Sequence, residues 1–410
     1  MRDAGRLAAA IAVIADIEER HRPARVALRA WGDASRFAGA KDRAFVSGLA
    51  LDALRRRRSL AWRMDEATPR AAALGVLRFS WDWPLERIEA AAGEAPHGPG
   101  AVTDNERLRL ESPRPIDEAP APVRGDYPDW LDPSLERAFG QDRAAHGHAL
   151  ASRAPVDLRV NTLKADVGHV AKALAPFGPE TLEGHANALR IPAPHASERA
   201  APVESTPEFE KGWFEVQDLA SQIAADAAGD IAHRQVLDFC AGGGGKTLAL
   251  AAAMANTGQL WAFDADARRL AETVRRARRA GVRNLQVRSP LAVDPLAGLE
   301  EKMDLVFIDA PCTGSGTWRR HPDAKWRLSP AQLDRRIAEQ SALLEAAGAF
   351  VKPGGRLVYV TCSVLPQEND DRLAGFLAAQ TAFALPSAPK RLDPLFTATD
   401  GFFIAVMERR

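Results

Sequence analysis

The chain has 410 residues, which is too long for one compact hydrophobic core and indicates two or three domains. Its 54 basic and 54 acidic residues balance, so bulk charge gives no argument for a nucleic-acid partner and any basic surface must be local. The three cysteines, Cys240, Cys312 and Cys362, lack paired metal-ligand spacing, which argues against a bound metal and against a disulfide framework.

The N-terminus has no basic-then-apolar leader pattern, and no apolar stretch approaches a membrane span of about 20 residues. We therefore expect a soluble, cytoplasmic protein with no membrane partner. No sequence feature fixes the oligomeric state, and a monomer is the expectation.

Residues 1–110 are expected to form a helical domain rich in alanine, leucine and arginine. Apolar residues recur there at helical spacing, including Leu7, Ile11, Ile14 and Ile17. The segment 45–62 is predicted to be one helix and contains four successive arginines at 55–58. Because four successive residues surround a helix, these arginines indicate either a solvated face or contacts to phosphates.

Prolines in the segment 111–126 argue against regular structure and predict a semi-rigid linker. Residues 127–225 are expected to form a small α+β unit with a strand at 157–161. The segment 185–208 contains several prolines and is predicted to be an irregular surface loop.

Residues 226–410 are predicted to form an α/β domain. Strands are expected at 235–239, 259–263, 284–287, 304–309, 356–361 and 401–408, and helices at 246–256, 266–280 and 330–347. This alternation implies a mostly parallel sheet with helices on both faces.

The first strand of this domain leads into four successive glycines and an alanine-rich helix, a pattern open to two nucleotide-binding interpretations. A P-loop would use Gly245, Lys246 and Thr247, but Cys240 occupies the position of that motif's first glycine. A Rossmann-type adenosine site needs an acid for the ribose roughly 20 residues after the turn. Asp264 lies 22 residues after Gly242 (264 − 242), so we prefer the second interpretation.

The three cysteines occur where predicted parallel strands end, the edge at which such sheets bind ligands. Asp309 and Cys312 follow one strand, Cys362 follows another, and Cys240 lies in the glycine turn. A lone cysteine is often only a small buried hydrophobe, but three at one edge favour chemistry. A thiol that adds to an electron-poor ring while an acid protonates the ring is the logic of covalent catalysis on a pyrimidine, and Asp309 is the candidate acid. Cations that could favour a thiolate are Lys246, Arg319, Arg320, His321 and Lys325.

These residues resemble a known family, the RNA cytosine-5 methyltransferases that include the RsmB (Fmu) and NOP2/NSUN groups. The resemblance covers most of the chain. The matching segments are the adenosylmethionine loop at 238–247, the second-cysteine motif at 309–312, the nucleophile motif at 361–364 with Glu368 and Asn369, and the run 319–326. It implies a Rossmann-like class I methyltransferase sheet that binds S-adenosyl-L-methionine. The implied cofactor-binding residues are Cys240, Ala241, Gly242, Gly243, Gly244, Gly245, Lys246, Asp264 and Asp309.

Upstream, the segments 127–131, 158–162 and 214–218 look like the family's small RNA-recognition-like unit. Residues 42–45 with 49–60 resemble the NusB-like domain of the bacterial RsmB branch, which implies RNA, and ribosomal RNA in particular, as the partner. The implied organisation is a NusB-like domain (1–110), a proline-rich linker (111–126), an RNA-binding α+β unit (127–225) and a methyltransferase domain (226–410).

Two positions depart from the family pattern. Gly243 replaces a proline of the cofactor loop, which should leave the turn usable but looser. The segment 287–290 lacks the acid that the family places near the adenine, so no adenine contact is assigned.

The resemblance implies that Cys362 adds to carbon-6 of a cytosine and that Asp309 protonates or holds ring nitrogen-3. Carbon-5 then takes the methyl group, a base removes its proton, and Cys312 assists release of the enzyme. Asp264 would hold the cofactor ribose, and Lys246 with the glycine amides would face the charged end of the cofactor.

Two other functions are open. One is an RNA-binding assembly factor whose methyl-donor site has decayed, in line with both departures. The other is methylation of DNA cytosine, for which Pro311 and Cys312 would supply the nucleophile, but Cys362 in its motif favours RNA.

Overall fold

The computed structural model describes residues 1–198 and 200–410, and the chain divides into two compact units. The helical unit comprises residues 1–154, 193–200 and 318–328. The sheet unit comprises residues 155–192, 201–317 and 329–410. Within the described residues, no helix has both the length and the apolar character needed to cross a membrane.

The N-terminal part of the helical unit is entirely helical, as predicted. Its α-helices are α1 (Asp3–Arg20), α2 (Ala24–Ala34), α3 (Ala40–Arg55), α4 (Arg57–Met64), α5 (Pro69–Phe79), α6 (Leu85–Gly93), α7 (Asp104–Glu111), α8 (Ala121–Arg124), α9 (Asp132–Phe139) and α10 (Arg143–Leu150). Helix α1 buries Leu7, Ile14 and Ile17 at helical spacing in one core with Leu49 and Leu74. The resemblance of this part to NusB stays a prediction.

The segment 45–62 forms two helices, so the prediction of a single helix is wrong. Helices α3 and α4 are separated at Arg56, whose φ of −111° and ψ of 23° are not helical. The buried carboxylate of Asp126 accepts hydrogen bonds from the backbone N–H groups of Arg58 and Ser59 at 3.0 and 2.9 Å. A distant acid therefore caps α4, and the spacing of apolar residues within 45–62 contains no trace of it.

The segment 111–126 also contains more regular structure than predicted. It holds a 3₁₀ turn (Ile116–Glu118) and helix α8. Pro122 lies in the first turn of α8, where a missing N–H costs no hydrogen bond. The helical unit continues without interruption to residue 154, so the boundary between the compact units is not in this segment. The four-part domain organisation stays a prediction.

The sheet unit begins with a small antiparallel sheet. Its elements are β1 (Val156–Val160), α11 (Val167–Ala173), β2 (Glu180–Leu182), β3 (His185–Ile191), α12 (Pro207–Glu210), β4 (Phe214–Val216) and α13 (Leu219–Asp226). The strand order is β2-β3-β1-β4. The predicted strand at 157–161 is confirmed as β1. The prediction of an irregular 185–208 is wrong at its start, because β3 pairs Leu189 with Leu158 before Pro192 ends the strand.

The main sheet has eight strands. The elements are β5 (Gln235–Asp238), α14 (Gly245–Ala253), β6 (Gln259–Phe263), α15 (Ala267–Ala280), β7 (Leu285–Arg288), β8 (Met303–Asp309), α16 (Ala324–Arg327, in the helical unit), α17 (Pro330–Gly348), β9 (Val351–Thr361), α18 (Asp370–Ala379), β10 (Phe383–Ala384), β11 (Lys390–Leu392) and β12 (Phe402–Arg409). The order is β10-β12-β9-β8-β5-β6-β7, with β11 paired to β12. Strands β5 to β9 pair in parallel and β12 is antiparallel to β9. The predicted Rossmann-like α/β sheet is confirmed.

Strand β8 is buried on both faces of this sheet. Leu305 and Phe307 belong to one core and Val306 and Ile308 to the other, because successive side chains of a strand point to opposite faces. The strand order reverses between β5 and β8. In such sheets the crevice outside the carboxyl ends of the two strands at the reversal is the ligand site.

The glycine turn between β5 and α14 has different requirements at adjacent positions. Gly244, the N-cap of α14, has a φ of +88°, and a Cβ there would lie 3.0 Å from side-chain atoms of Thr273. Gly243 has a negative φ, and a Cβ there would come no closer than 3.7 Å to Arg276 Nη1. The turn therefore needs glycine at 244 and accepts a side chain at 243.

We predict that Gly243→Ala stabilises the protein by about 0.4–1 kcal/mol, because it reduces the conformational entropy of the unfolded chain without strain in the folded one. The matched control is Gly244→Ala, which forces a left-handed backbone onto alanine and should destabilise the protein by more than that amount. Urea unfolding monitored by circular dichroism gives both free energies. A Gly243→Ala variant as unstable as Gly244→Ala would contradict the described turn.

Candidate active site

Three carboxylates meet near the point where the strand order reverses. Asp238 ends β5, Asp264 follows β6 and Asp309 ends β8. Asp238 is fully buried, and its Oδ2 accepts a hydrogen bond from Thr247 Oγ1 at 2.6 Å. Within the part of the chain that the structure describes, its Oδ1 has no hydrogen-bond partner.

Burial raises the pKa of Asp238 to about 7. The Thr247 hydrogen bond and the charge of Lys246 oppose this rise, whereas the negative charges of Asp309 and Asp264 add to it. The same surroundings raise the pKa of the Cys240 thiol well above its ordinary value, mainly through burial and then through the three carboxylates. Cys240 therefore stays a neutral thiol in the turn.

Lys246 and Asp309 form an ion pair at this edge. Lys246 Nζ donates to Asp309 Oδ2 at 2.6 Å, and its side chain is almost fully buried while that of Asp309 is one-third exposed. The lysine predicted to face the cofactor and the acid predicted to face the base are thus in direct contact. Binding of the cofactor beside Lys246 would therefore affect the carboxylate of Asp309, and binding of the base beside Asp309 would affect Lys246.

Asp264 holds the glycine turn from the neighbouring strand. Its Oδ2 accepts the Gly242 backbone N–H at 2.8 Å, and its Oδ1 accepts the Asp266 N–H at 2.8 Å. Arg269 Nη1 lies 3.6 Å from the same carboxylate. A carboxylate offers about four acceptor positions, so Asp264 can still accept hydrogen bonds from the hydroxyl groups of a ribose.

These residues fit S-adenosylmethionine, which carries a sulfonium, an ammonium and a carboxylate. The three carboxylates outnumber the two cations in contact with them, Lys246 and Arg269, so a cationic ligand suits the site. The partnerless Asp238 Oδ1 is an acceptor without a donor. Strand β7, after which the family places an acid near the adenine, ends instead in Arg288. The guanidinium of Arg288 lies 4.4 Å from the centre of the Trp261 ring.

The two catalytic cysteines predicted from the sequence are adjacent. Cys312 Sγ and Cys362 Sγ are 3.3 Å apart, although 50 residues separate them in the chain. The hydrogen bond to Cys362 and then burial raise the pKa of Cys312 well above its ordinary value. Cys312 therefore stays protonated beside Cys362, and either sulfur can donate the hydrogen bond that joins them.

The buried carboxylate of Glu368 joins the two loops that carry these cysteines. It accepts hydrogen bonds from the Thr313 backbone N–H at 2.8 Å and from Thr313 Oγ1, and also from Ser363 Oγ. Gln340 Nε2 donates to Glu368 at 3.0 Å and to the Pro311 carbonyl at 2.8 Å. One side chain therefore holds the residues that follow both cysteines.

Further hydrogen bonds fix the same loops. Asn369 Nδ2 donates to the Ser363 carbonyl at 2.9 Å, and Thr361 Oγ1 donates to Asn369 Oδ1. The Gly316 N–H donates to the Cys362 carbonyl at 3.0 Å. A Cβ on Gly316 would lie 2.0 Å from the Gly401 carbonyl oxygen, so the backbone passes there with no room for a side chain.

Four of the cations proposed to favour a thiolate belong to the helical unit rather than to this edge: Arg319, Arg320, His321 and Lys325. Lys325 is fully buried there and donates to the Arg55 carbonyl at 2.9 Å. Burial lowers the pKa of Lys325 to about 7, with Asp126 opposing the shift. Of the five proposed cations, Lys246 contacts one of the described carboxylates, that of Asp309.

The sequence interpretation named Asp309, Cys312, Cys362 and Asp264, and the structure brings them to one edge. It gave no role to Asp238, although an acid that ends a buried strand before a glycine turn was a usable signal. It placed Glu368 and Asn369 in a motif without a function and missed Gln340, which no local pattern marks. Among the described residues, no group of three or more His, Cys, Asp or Glu side chains is arranged to hold a metal ion.

The family model described as 16S rRNA methyltransferase RsmB/F matches residues 230–408. The ribosomal RNA small subunit methyltransferase B of Citrobacter koseri is 33% identical over 296 residues, which cover 69% of this chain and 67% of that protein. A "Probable ribosomal RNA small subunit methyltransferase B" of Synechocystis sp. is 33% identical over 257 residues, which cover 61% of this chain and only 56% of that relative.

A crystal structure of a methyltransferase homologue from Pyrococcus horikoshii is similar as well. It has a TM-score of 0.60 and 28% sequence identity, and the match covers 71% of this chain and 98% of that one. These similarities confirm the resemblance inferred from the motifs, the methyltransferase sheet and S-adenosylmethionine as the methyl donor. Residues 230–408 contain the glycine turn, the three carboxylates, Cys312 and Cys362, and this chain belongs to the RsmB/F family of ribosomal RNA methyltransferases.

Proposed function

We propose that this chain methylates carbon-5 of a cytosine in small-subunit ribosomal RNA through a covalent adduct with Cys362. The observation that carries the proposal is the Cys312–Cys362 pair, with sulfur atoms 3.3 Å apart at the strand ends that also carry Asp309. The names of the relatives support ribosomal RNA of the small subunit as the substrate. RNA is thus the expected macromolecular partner.

S-adenosylmethionine supplies an electrophilic methyl group. Asp264 would accept hydrogen bonds from the ribose, and the glycine turn from Cys240 to Gly245 would surround the amino-acid end of the cofactor. The turn amides and Lys246 suit its carboxylate, and Asp238 Oδ1 suits its ammonium.

Cys362 begins the reaction as a thiolate, once its thiol proton has passed to solvent, and forms a bond from its sulfur to carbon-6 of the cytosine. The electron pair of the carbon-5–carbon-6 double bond moves into the ring, and Asp309 protonates or holds nitrogen-3 so that this charge is stabilised. Lys246 fixes the Asp309 carboxylate through the contact of 2.6 Å. Carbon-5 thereby becomes nucleophilic and would take the methyl group, whose bond to the sulfonium sulfur breaks to leave a neutral thioether.

Release requires that a base remove the carbon-5 proton and that the bond between carbon-6 and Cys362 break. The double bond re-forms, and the sulfur of Cys362 leaves as a thiolate. Cys312 assists because its thiol stays protonated and donates a hydrogen bond to the departing sulfur. The cytosine must be unstacked for this chemistry, which favours single-stranded or flipped-out target bases.

A second candidate is an RNA-binding assembly factor without a working methyl-donor site. Gly243 in the cofactor turn and the lack of an acid at the end of β7 favour it. The partnerless Asp238 Oδ1 and the excess of carboxylates favour a cationic cofactor instead, so methyl transfer is the preferred function.

The first prediction concerns the two cysteines. With RNA and S-adenosylmethionine, Cys312→Ala should accumulate a covalent protein–RNA adduct on a denaturing gel, because the leaving sulfur loses its proton donor. Cys312→Ser restores a donor and should release part of the RNA, whereas Cys240→Ala should accumulate no adduct. Cys362→Ala should form neither adduct nor 5-methylcytosine detectable by bisulfite sequencing. Continued methylation by Cys362→Ala would disprove the assignment of the nucleophile.

The second prediction concerns Asp238, whose pKa of about 7 is raised in the free protein. Binding of the cofactor ammonium favours the carboxylate, so binding below about pH 7 should release a proton. The affinity should rise about tenfold from pH 6 to pH 8. Calorimetry in buffers of different ionisation enthalpy measures both quantities.

The matched control is Asp238→Asn, which should bind the cofactor more weakly and without this pH dependence.

Free Asp238 holds its proton up to about pH 7, so its contribution to stability should be present at acidic pH and lost as the pH rises through 7. An absence of binding heat at millimolar cofactor in the unmodified protein would favour the assembly factor.

The third prediction treats Glu368 as a positioning residue. Glu368→Gln places an amide NH₂ against groups that donate hydrogen bonds, so the cysteine loops should separate. The single-turnover rate of methyl transfer should fall by up to about 100-fold while cofactor affinity stays unchanged. The control is Glu345→Gln, on the exposed surface of α17. A parallel loss of cofactor affinity would indicate general unfolding rather than loss of positioning.

A further inference from the structure

A groove of about 770 Å³ opens in the helical unit, and all of its lining residues belong to that unit. Helices α3, α4, α8 and α10 and residues 193–196 contribute to its walls. Its charged lining has an excess of positive charge. The arginines are Arg55, Arg56, Arg63, Arg124 and Arg153, and the acids are Asp52 and Asp117.

Part of this charge is neutralised inside the protein. Asp52 is buried and accepts hydrogen bonds from Arg153 Nη2 at 2.5 Å, from Trp81 Nε1 at 2.9 Å and from Arg55 Nη1 at 3.4 Å. Arg55 also donates to the carbonyls of Ser152 and Arg319. These two arginines therefore shape the groove and leave little charge for a ligand.

The remaining arginines have only a distant acidic partner or none. Within the described residues, neither Arg63 nor Arg124 forms an ion pair, and the Arg63 guanidinium lies 5.1 Å from the centre of the Phe79 ring. Arg56 Nη1 donates to His148 Nδ1 at 2.6 Å, and its nearest carboxylate oxygen, on Asp126, is 3.9 Å away. Arg63 and Arg124 thus line the groove without an ion-pair partner among the described residues, and Arg56 adds a guanidinium whose acidic partner is at the limit of ion-pair distance.

His148 also lines the groove, and the nearby arginines affect its pKa. Burial and then the charges of Arg56, Lys325 and Arg63 lower its pKa to about 4. The imidazole is therefore a neutral acceptor for Arg56 at neutral pH. The positive charges of Arg56 and Arg63, which add to the effect of burial on His148, also attract anions to the groove.

We propose that this groove binds phosphate groups of a single RNA strand, with Arg63 and Arg124 as the principal contacts and Arg56 as a third. The inference rests on the proposed function, because an enzyme that modifies RNA must hold the strand beyond the target base. The groove is large enough for a nucleotide rather than for one free phosphate ion. Phe79 with the overlying Arg63 offers the planar, charged surface on which bases stack.

The test uses the full chain and a fluorescein-labelled, single-stranded RNA of about 20 nucleotides that contains no cytosine. Fluorescence anisotropy gives its Kd as a function of salt concentration. In Arg63→Gln/Arg124→Gln, two lost phosphate contacts should reduce the slope of log K against log salt by about 1.4. Affinity should fall about 25-fold at 0.1 M salt, and the difference should vanish toward 1 M.

The matched control is Arg25→Gln/Arg29→Gln, which removes the same charge from exposed positions on α2 outside the groove. It should keep the salt slope of the unmodified protein. Arg63→Lys/Arg124→Lys retains both charges and should keep most of the slope, which guards against loss of folding as the explanation. Equal losses in the groove and control variants, or no loss in the groove variant, would overturn the proposal.

Inorganic phosphate at constant ionic strength separates the two sources of phosphate. The RNA strand should resist millimolar phosphate, and complete displacement would identify the free ion as the occupant and overturn the assignment. Because the RNA has no cytosine, its binding is independent of the cysteine chemistry. Groove-dependent binding together with an absence of methyl transfer to cytosine-containing RNA would therefore reject the proposed function and leave the groove intact.

Discussion

The hydrogen bonds of Glu368 hold together the two loops that carry Cys312 and Cys362. A buried carboxylate is costly unless its oxygens are satisfied, and here donors from Thr313, Ser363 and Gln340 surround it. Separation of the two loops would leave that charge without partners. The desolvation penalty of one side chain thereby maintains the distance of 3.3 Å between Cys312 and Cys362.

Electrostatics also distinguish the two interpretations of the glycine turn. A P-loop binds phosphates, and Lys246 with the helix N-terminus of α14 would suit them. In the folded chain, however, Lys246 is already paired with Asp309, and Asp238 and Asp264 add two more carboxylates. Negative charge at this edge disfavours a polyphosphate and favours a ligand with positive charge. The charges of Asp309 and Asp264 that suit a sulfonium cofactor also add to the rise in the pKa of Asp238 that burial produces.

The sheet could be predicted closely because its signals are local. The pattern of apolar runs that end in acids located β6 at 259–263 and β8 to within one residue. The failures were at places where distant residues decide the structure. The carboxylate of Asp126 caps α4 by accepting the backbone N–H of Ser59, which lies 67 positions earlier in the chain. Similarly, β3 forms because Leu189 pairs with Leu158 of β1. Likewise, Cys312 and Cys362 were expected at one edge from strand order alone, but the contacts of Glu368 and Gln340 depend on packing that no motif encodes.

The arginine run 55–58 illustrates why charge in a sequence does not translate directly into a binding surface. Arg55 is buried against carbonyl groups, Arg57 pairs with Glu18 at 2.9 Å and Arg58 with Asp129 at 2.6 Å. The prediction of a solvated face is therefore wrong for Arg55, and partners neutralise much of the run. The unpaired charges of the groove come instead from Arg63 and Arg124, single arginines that no pattern singled out. Acids determine where positive charge remains, so a chain with no net charge can still have a strongly basic groove.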